Sequence, residues 1–315
     1  LVAERRYPSG VQSKPKAKPK TKSKPAKAAR TTRRRKSAVK PSSNVFVRLF
    51  RGIVGWVLHL LWVIFSRGAL AFAAVLGLAV FYIYTTLPLY SELLDGRARG
   101  SVTLTDRDGA VFAWRGEQFG GQITADTVSP NLKNAIIATE DKRFYRHFGV
   151  SPRGVASAIK INLAAGRGAL SGNGGSTLTQ QTAKLLCLGV PFDPKAWKNQ
   201  TEYEADCRRG SMARKIKEAV YAIAMEVRYS KDEILSIYMN RAYLGSGSNG
   251  FEAASQRYFG KSAAQVNVAE AAMLAGLLKA PTRYAPTNNV ERSRDRAGIV
   301  LLLMKMFYYT IGSFN

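Results

Sequence analysis

Glu140 and the adjacent Asp141 close an apolar segment and are followed by two cations and two aromatic residues. A carboxylate at the rim of a packed surface can have its pKa raised by desolvation or lowered by neighbouring cations. Either change suits general acid–base catalysis, so this pair is the first candidate for chemistry. The alternative is a surface carboxylate paired with Arg143 or Arg146, and a Glu-Asp pair taken alone favours that alternative.

A second candidate is a group of charges further along the chain, formed by Arg214, Lys215 and Glu218. Arg214 and Glu218 are four residues apart and therefore share one face of a helix. A carboxylate can orient the arginine towards a phosphate group, which Arg binds with two parallel donors and Lys with a compact charge. The alternative is an ordinary surface ion pair, which contributes little to stability.

A third candidate is a polar segment in which a pair of glycines precedes Ser176 and Thr177. Thr177 and Gln180 have the spacing of a capping box, which predicts that a helix begins here. The free N–H groups at such a helix start can hold an anion, and Lys184 adds a cation two turns later. The residue order of a Walker loop is absent, and a plain helix cap is the alternative.

Helical periodicity and start signals predict a mainly α protein with a minor β element. Alternating residues around Asp108 and Gly109 predict a β-hairpin over residues 101–114. Irregular Pro, Gly, Asp and Asn residues predict a loop or lid over residues 188–210. The predicted helices cover residues 131–140, 152–165, a segment beginning near 176, 212–229, 230–240, 268–279 and 289–309.

A membrane-length apolar stretch precedes these elements. Residues 52–66 carry no formal charge, Arg67 interrupts, and residues 68–87 are again uncharged up to Pro88. The second run is long enough for ~30 Å of hydrocarbon, whereas a buried core helix or a signal peptide is the alternative. The first run is either an interfacial helix before the span or part of one long tilted helix.

The formal net charge of +27 is concentrated at the N-terminus, where residues 1–51 contain 17 Lys or Arg and one acid, Glu4. This segment has few apolar side chains to bury, so we expect a disordered tail. The excess of positive charge before the span predicts a single-pass protein with a cytoplasmic N-terminus and residues 91–315 outside. Anionic lipid headgroups are the favoured partner of the tail, with nucleic acid as the alternative.

Two cysteines, Cys187 and Cys207, fall in the part predicted to be exported. In an oxidising compartment they can form a disulfide, worth roughly 3 kcal/mol in the chain-entropy model. Two free thiols are the alternative, and the absence of a neighbouring His gives no metal signature.

Taken in order, these segments closely resemble the motifs of the family 51 peptidoglycan glycosyltransferases, and the resemblance covers about residues 90–309. This family comprises the glycosyltransferase module of class A penicillin-binding proteins and the monofunctional peptidoglycan glycosyltransferases. The fifth motif is only partly kept, since Arg296 is followed by Ala297. The residues that match the first four motifs are Glu140, Asp141, Phe144, His147 and Gly149; Gly174, Ser176, Thr177, Thr179, Gln180 and Gln181; Arg214, Lys215 and Glu218; and Ile234, Leu235, Tyr238 and Asn240.

The resemblance implies a lysozyme-like helical head with a small membrane-dipping lobe within residues 150–210. Together with the composition it predicts four regions. These are a disordered basic cytoplasmic tail (1–51), a membrane segment (52–90, with the span at about 68–87), a β-hairpin linker (91–128) and the glycosyltransferase domain (129–315).

The resemblance also implies an activity, the polymerisation of lipid II into β-1,4-linked glycan with inversion at the donor sugar and release of lipid pyrophosphate. Glu140 would be the base that deprotonates the acceptor hydroxyl. Glu218 would be the second catalytic carboxylate and, with Lys184, Arg214 and Lys215, would hold the donor pyrophosphate. The other substrate-binding residues would be Asp141, Ser176, Thr177, Gln180 and Gln181.

No cofactor is required in this scheme, although a divalent cation, Mg²⁺ or Mn²⁺, could assist at the pyrophosphate. The expected partners are lipid II, the growing glycan chain, anionic lipids and other cell-wall synthesis proteins, with no nucleic acid. The expected location is the bacterial inner membrane, with the catalytic domain in the periplasm.

Two further readings follow from the same residues. A lysozyme-like enzyme that cleaves glycan would share the fold but would not need the cations around Lys184 and Arg214. A membrane-anchored scaffold protein with an inactive catalytic head is the non-enzymatic alternative. Lys-Thr-Gly, a motif of penicillin-binding transpeptidases, does not occur, so we expect no transpeptidase domain in this chain.

Overall fold

The computed structural model describes residues 45–94, 102–105, 107–108, 111–115, 118–119, 121–169 and 174–312. The chain divides into two compact units, residues 1–62 and residues 63–315. Within the described residues the second unit is mainly helical, which confirms the predicted fold class.

The first helix, α1, runs from Val45 to Thr86 and joins both uncharged runs into one continuous element. Its 42 residues span about 63 Å at 1.5 Å per residue. An 18-residue window within it has a mean hydropathy of 2.1 and no buried residue. The prediction of a disordered tail is wrong for residues 45–51, since their apolar side chains continue the helix, and for residues 1–44 it lies outside the described residues.

The predicted hairpin is confirmed: β1 (Val102–Thr105) pairs with β2 (Val111–Arg115) in antiparallel register. A short helix, α2 (Tyr90–Leu94), precedes it. After the hairpin, β3 (Gln118–Phe119) makes a two-residue parallel pair with β4 (Ser248–Asn249).

Most of the predicted helices of the head are confirmed, with boundaries that differ by a few residues. Three helices of the head were not predicted: Gln200–Arg208, Phe251–Phe259 and Pro281–Tyr284, which are α6, α9 and α11 below. The helices are α3 (Pro130–Glu140), α4 (Pro152–Ala164), α5 (Leu178–Leu185), α6 (Gln200–Arg208), α7 (Met212–Arg228), α8 (Lys231–Arg241), α9, α10 (Val268–Leu277), α11 (Pro281–Tyr284) and α12 (Val290–Gly312).

The prediction of a loop or lid over residues 188–210 is wrong for its second half, because α6 lies there. Asn199 caps this helix, and its side chain accepts a hydrogen bond from the Glu202 N–H at 2.8 Å. Cys187 and Cys207 form a disulfide with a Cα–Cα distance of 5.2 Å, which settles the choice that the sequence left open.

The core of the head is formed where α3 packs against α10 and α12, and where α5 packs against α7 and α8. Its side chains include Leu132, Ile136, Met225, Ile234 and Leu274, all fully buried. Burial of this apolar surface is the main stabilising contribution and fixes the end of α3 relative to α5.

Buried polar contacts fix the relative positions of these helices. The Glu226 carboxylate accepts from the Thr179 hydroxyl at 2.6 Å and from the Lys231 ammonium at 2.7 Å, which joins α5, α7 and α8. The Asn240 side chain exchanges hydrogen bonds with the main chain of Ile123 at 2.6 and 3.1 Å. Asn240, in the fourth motif, therefore holds the segment before α3 in place.

Candidate active site

Glu140 is the last residue of α3, and its side chain points to α5. The amide Nε2 of Gln181 donates to Glu140 Oε2 at 2.9 Å. The Oε1 of the same amide accepts from the Tyr238 hydroxyl at 3.3 Å. The carboxylate is thus held by a neutral side chain that is itself oriented by a buried tyrosine.

The surroundings of Glu140 change its acidity. Desolvation by burial raises the pKa of Glu140, while the hydrogen bond from Gln181 and the charge of Arg296 lower it, and the neighbouring Asp141 raises it. Burial, with a further contribution from Glu140, also raises the pKa of Tyr238 well above its ordinary value. A carboxylate with a raised pKa is a stronger base, which suits proton abstraction from a sugar hydroxyl.

The predicted charge group lies at the start of α7 and does share a helix face. Glu218 is only 3% exposed, and its carboxylate lies 3.5 Å from Arg214 Nε and 2.5 Å from Lys215 Nζ. Lys215 Nζ also donates to the Ser176 hydroxyl at 2.9 Å. A buried anion therefore orders two cations next to the beginning of α5.

Helix α5 connects these two groups of residues. Ser176, just before its start, contacts Lys215 on α7, and Gln181, in its middle, contacts Glu140. Lys184 lies in its last turn, three residues after Gln181. The eight residues of this helix span about 12 Å, and it contacts Glu140 through Gln181 and follows the contact of Ser176 with Lys215.

Asp141 lies beside Glu140 but makes different contacts. Its carboxylate accepts from His147 Nε2 at 2.8 Å and from the Leu178 N–H at 3.1 Å. The N-terminus of a helix attracts an anion, and at the start of α5 this anion is the carboxylate of Asp141. The role of Asp141 in substrate binding stays a prediction.

The remaining residues of the second motif form the cap of α5. Thr177 and Gln180 make the predicted capping box, with distances of 3.0 and 3.1 Å. The Thr177 hydroxyl also donates to the Gly149 carbonyl at 2.5 Å. A Cβ on Gly175 would approach the Val155 Cα to 2.6 Å, so this glycine allows close packing against α4. The structure thus assigns Thr177 and Gln180 to the cap, and their contact with substrate stays a prediction.

Three residues near the site had no assigned role in the sequence analysis: His147, Tyr238 and Arg296. His147 and Tyr238 belong to quoted motifs, which was the available signal. Arg296, in the incomplete fifth motif, donates from Nε to the Gly276 carbonyl at 3.4 Å and acts on Glu140 through its charge.

The described residues contain no group of three or more His, Cys, Asp and Glu side chains that could hold a metal ion. The carboxylates near the site are already engaged, Asp141 by His147 and Glu218 by Arg214 and Lys215. The side chains present therefore do not fit a resident metal, and assistance by Mg²⁺ or Mn²⁺ stays a prediction.

Comparison with known proteins gives a family match over most of the second unit, residues 63–315. A family profile described as transglycosylase matches residues 108–305. Penicillin-binding protein 1A of Aquifex aeolicus is 37% identical over 238 residues, covering 74% of this chain and 29% of the relative. Penicillin-binding protein 1A of Escherichia coli is 37% identical over 223 residues, covering 71% of this chain and 24% of the relative.

A crystal structure of penicillin-binding protein 1A from Haemophilus influenzae is 23% identical and has a TM-score of 0.33, too low to support an argument about the fold. It covers 65% of this chain and 19% of that one. The chain spans between 24 and 29% of the length of the curated relatives it matches. Because the profile covers more than half of the sequence, the chain belongs to the transglycosylase family, the glycosyltransferase family 51 that its motifs resemble.

Proposed function

We propose that the chain is a membrane-anchored peptidoglycan glycosyltransferase that polymerises lipid II into β-1,4-linked glycan and releases lipid pyrophosphate. The observation that carries the proposal is the arrangement around α5. A partly buried carboxylate, Glu140, contacts Gln181 on this helix, and Lys215, one of the two cations paired with Glu218, contacts Ser176 just before it. A base and a pyrophosphate-binding group are the two parts that this reaction needs.

In the proposed reaction Glu140 takes the proton of the acceptor 4-hydroxyl. The freed oxygen attacks the donor C1 from the side opposite the pyrophosphate, so the C1–oxygen bond to pyrophosphate breaks as the new glycosidic bond forms. The configuration at C1 is inverted in this single displacement. The raised pKa of Glu140 makes it a better acceptor for the proton, and the Gln181 amide keeps its carboxylate oriented.

The leaving group is a pyrophosphate, whose developing charge requires cations more than a proton. Arg214 and Lys215 supply these cations, and we propose that Lys184 adds a third from the last turn of α5. Glu218 acts by orienting Arg214 and Lys215, since its carboxylate is buried and lies against both side chains.

Exposed apolar residues support a lipid-linked substrate. Met212 and Ile216, which flank Arg214 and Lys215 on α7, are 65 and 64% exposed. On α4, in the predicted membrane-dipping lobe, Ile161 and Leu163 are also exposed. Apolar groups beside cations suit an anion that is attached to a lipid. With α1 as the anchor, we place the protein in the inner membrane, with its N-terminus cytoplasmic and its head periplasmic.

The test is incubation of the detergent-solubilised protein with fluorescent lipid II, with products separated by length. We expect a ladder of lengthening glycan that Glu140→Gln abolishes while circular dichroism stays unchanged. Glu291→Gln, which removes an exposed carboxylate on α12, is the matched control and should polymerise normally.

Two results would contradict the proposal. Shortening of preformed glycan, with no polymer from lipid II, would identify a lytic enzyme. A folded protein that neither lengthens nor shortens glycan would identify a scaffold.

A further inference from the structure

We infer that the disulfide-closed segment from Cys187 to Cys207 is a positioning element for Arg214; this inference rests on the proposed role of Arg214 in holding pyrophosphate. The segment follows α5 directly and includes α6, and the chain then enters α7. It therefore lies in sequence between Lys184 and the cations of α7. None of its residues belongs to the motifs that identify the family.

The segment has a small core of its own. Cys187, Cys207 and Tyr203 are buried together, and Trp197 packs against them. The Tyr203 and Trp197 rings meet edge to face with centroids 5.0 Å apart, and the Tyr203 hydroxyl donates to the Val190 carbonyl. The disulfide, the aromatic pair and this hydrogen bond hold the end of α6 at a fixed place beside α5.

The end of α6 contacts Arg214 directly. Arg214 Nη1 donates to the Asp206 carbonyl at 2.9 Å, and Asp206 is the residue before Cys207. The other side of the guanidinium, Nε, faces Glu218 at 3.5 Å. Asp206 on α6 and Glu218 on α7 thus fix the plane of the Arg214 guanidinium. This group has five N–H donors, so its other donors can be directed to one anion.

This geometry gives the disulfide a specific consequence. Without it, the small aromatic core is left to hold the end of α6, and among the described residues Glu218 remains as a fixed partner of the Arg214 guanidinium. Arg214 would then have to be ordered when the pyrophosphate binds, and this ordering lowers affinity. The acceptor side of the site, around Glu140, makes no contact with this segment among the described hydrogen bonds.

The experiment compares the wild-type protein with Cys187→Ser/Cys207→Ser in two measurements. The first is binding of inorganic pyrophosphate by calorimetry, and the second is the KM and kcat for lipid II. We expect the dissociation constant and the KM to rise about three- to tenfold with kcat changed less, consistent with weakening of one charge-assisted hydrogen bond. Val190→Ala, in the same segment, is the matched control and should leave both values unchanged.

A double-mutant cycle separates positioning from general loosening. In an Arg214→Ala background, removal of the disulfide should change pyrophosphate affinity no further. An equal loss in both backgrounds, or no loss in either, would overturn the inference. If the cysteine variant fails to fold, Trp197→Ala, which opens the same small core with the disulfide intact, replaces it in the cycle.

The two readouts keep the inference apart from the proposed function. Normal polymerisation with a disulfide-independent dissociation constant and KM overturns the inference alone. Disulfide-dependent pyrophosphate binding through Arg214, without polymerisation of lipid II, overturns the proposed reaction and leaves the positioning role in place.

Discussion

Two glutamates of the head are withdrawn from water to different degrees, Glu218 almost fully and Glu140 in part, and their surroundings differ. Glu140 is held by a neutral amide and has Arg296 as its nearby cation, and burial raises its pKa. Glu218 lies against an arginine and a lysine at 3.5 and 2.5 Å. Glu140 therefore has little positive charge nearby to balance its negative charge, whereas Glu218 forms ion pairs with two cations.

The difference shows how one protein can obtain two functions from one side-chain type. A carboxylate without a fixed cation gains stability by taking a proton, which is the property of a base. A carboxylate placed between two cations orders them, which prepares an anion-binding site. Neutralising the two residues should consequently have different effects on the reaction and opposite effects on stability.

The largest expected effect is that of Glu140→Gln on turnover. Removal of the base should lower kcat by about 10²- to 10⁴-fold, since this is the usual contribution of a positioned base. Gln keeps the shape and can still accept the Gln181 hydrogen bond, so the fold should persist. Steady-state kinetics with lipid II measures the effect, and a variant with unchanged kcat would remove Glu140 from the mechanism.

The same variant should be more stable than the wild-type protein at neutral pH. Because the pKa of Glu140 is raised on folding, the folded state binds its proton more tightly than the unfolded state does. The free energy of unfolding contributed by this group is present at low pH and is lost as pH rises through the raised pKa. Denaturant unfolding at pH 5 and pH 8 should show the gain for Glu140→Gln growing with pH, and a loss of stability at pH 8 would contradict this view.

Glu218→Gln should have the opposite effect on stability and a smaller effect on turnover. Arg214 and Lys215 would lose their anion. We expect the free energy of unfolding to fall by about 1–3 kcal/mol. The loss should be near the lower limit of this range because Lys215 is half exposed and water screens its charge. The KM for lipid II should rise more than kcat falls. A gain in stability, as expected for Glu140→Gln, would show that the two carboxylates do not differ as described.

A smaller effect is expected from Gln181→Met, which removes the amide that donates to Glu140. Since this hydrogen bond lowers the pKa of Glu140, its loss should raise that pKa further. The acidic limb of the pH profile of kcat should therefore move to higher pH, with activity recovered at high pH. An unchanged limb would mean that Gln181 does not contact the base during turnover.

The sequence predicted the local parts of this arrangement. The Thr177 and Gln180 spacing predicted the start of α5, and the Arg214 and Glu218 spacing predicted a shared face, because both depend on contacts three or four residues apart. The disulfide was one of two open alternatives, since pairing depends on where the fold brings Cys187 and Cys207.

What the sequence did not predict depends on contacts between distant segments. Asp141 contacts the start of α5, 37 residues away, and no local pattern indicates that. The segment that contains α6 was read as a loop because of its irregular Pro, Gly, Asp and Asn residues, although the cap at Asn199 and Glu202 was a usable signal. Asn240 matched a motif, but its structural role is visible only in its contact with Ile123.

The smallest effect tests Arg296, a cation that acts on Glu140 through its charge. Arg296 lowers the pKa of Glu140, so Arg296→Gln should move the acidic limb of the kcat profile to higher pH, by less than Gln181→Met does, because the direct hydrogen bond is the larger influence. Arg294→Gln removes an equal charge from an exposed position on the same helix and is the matched control. A shift of equal size in both variants would mean that net charge alone sets the acidity of Glu140. A shift confined to Arg296→Gln, which we expect, means that the incomplete fifth motif still supplies a cation that lowers the pKa of the base.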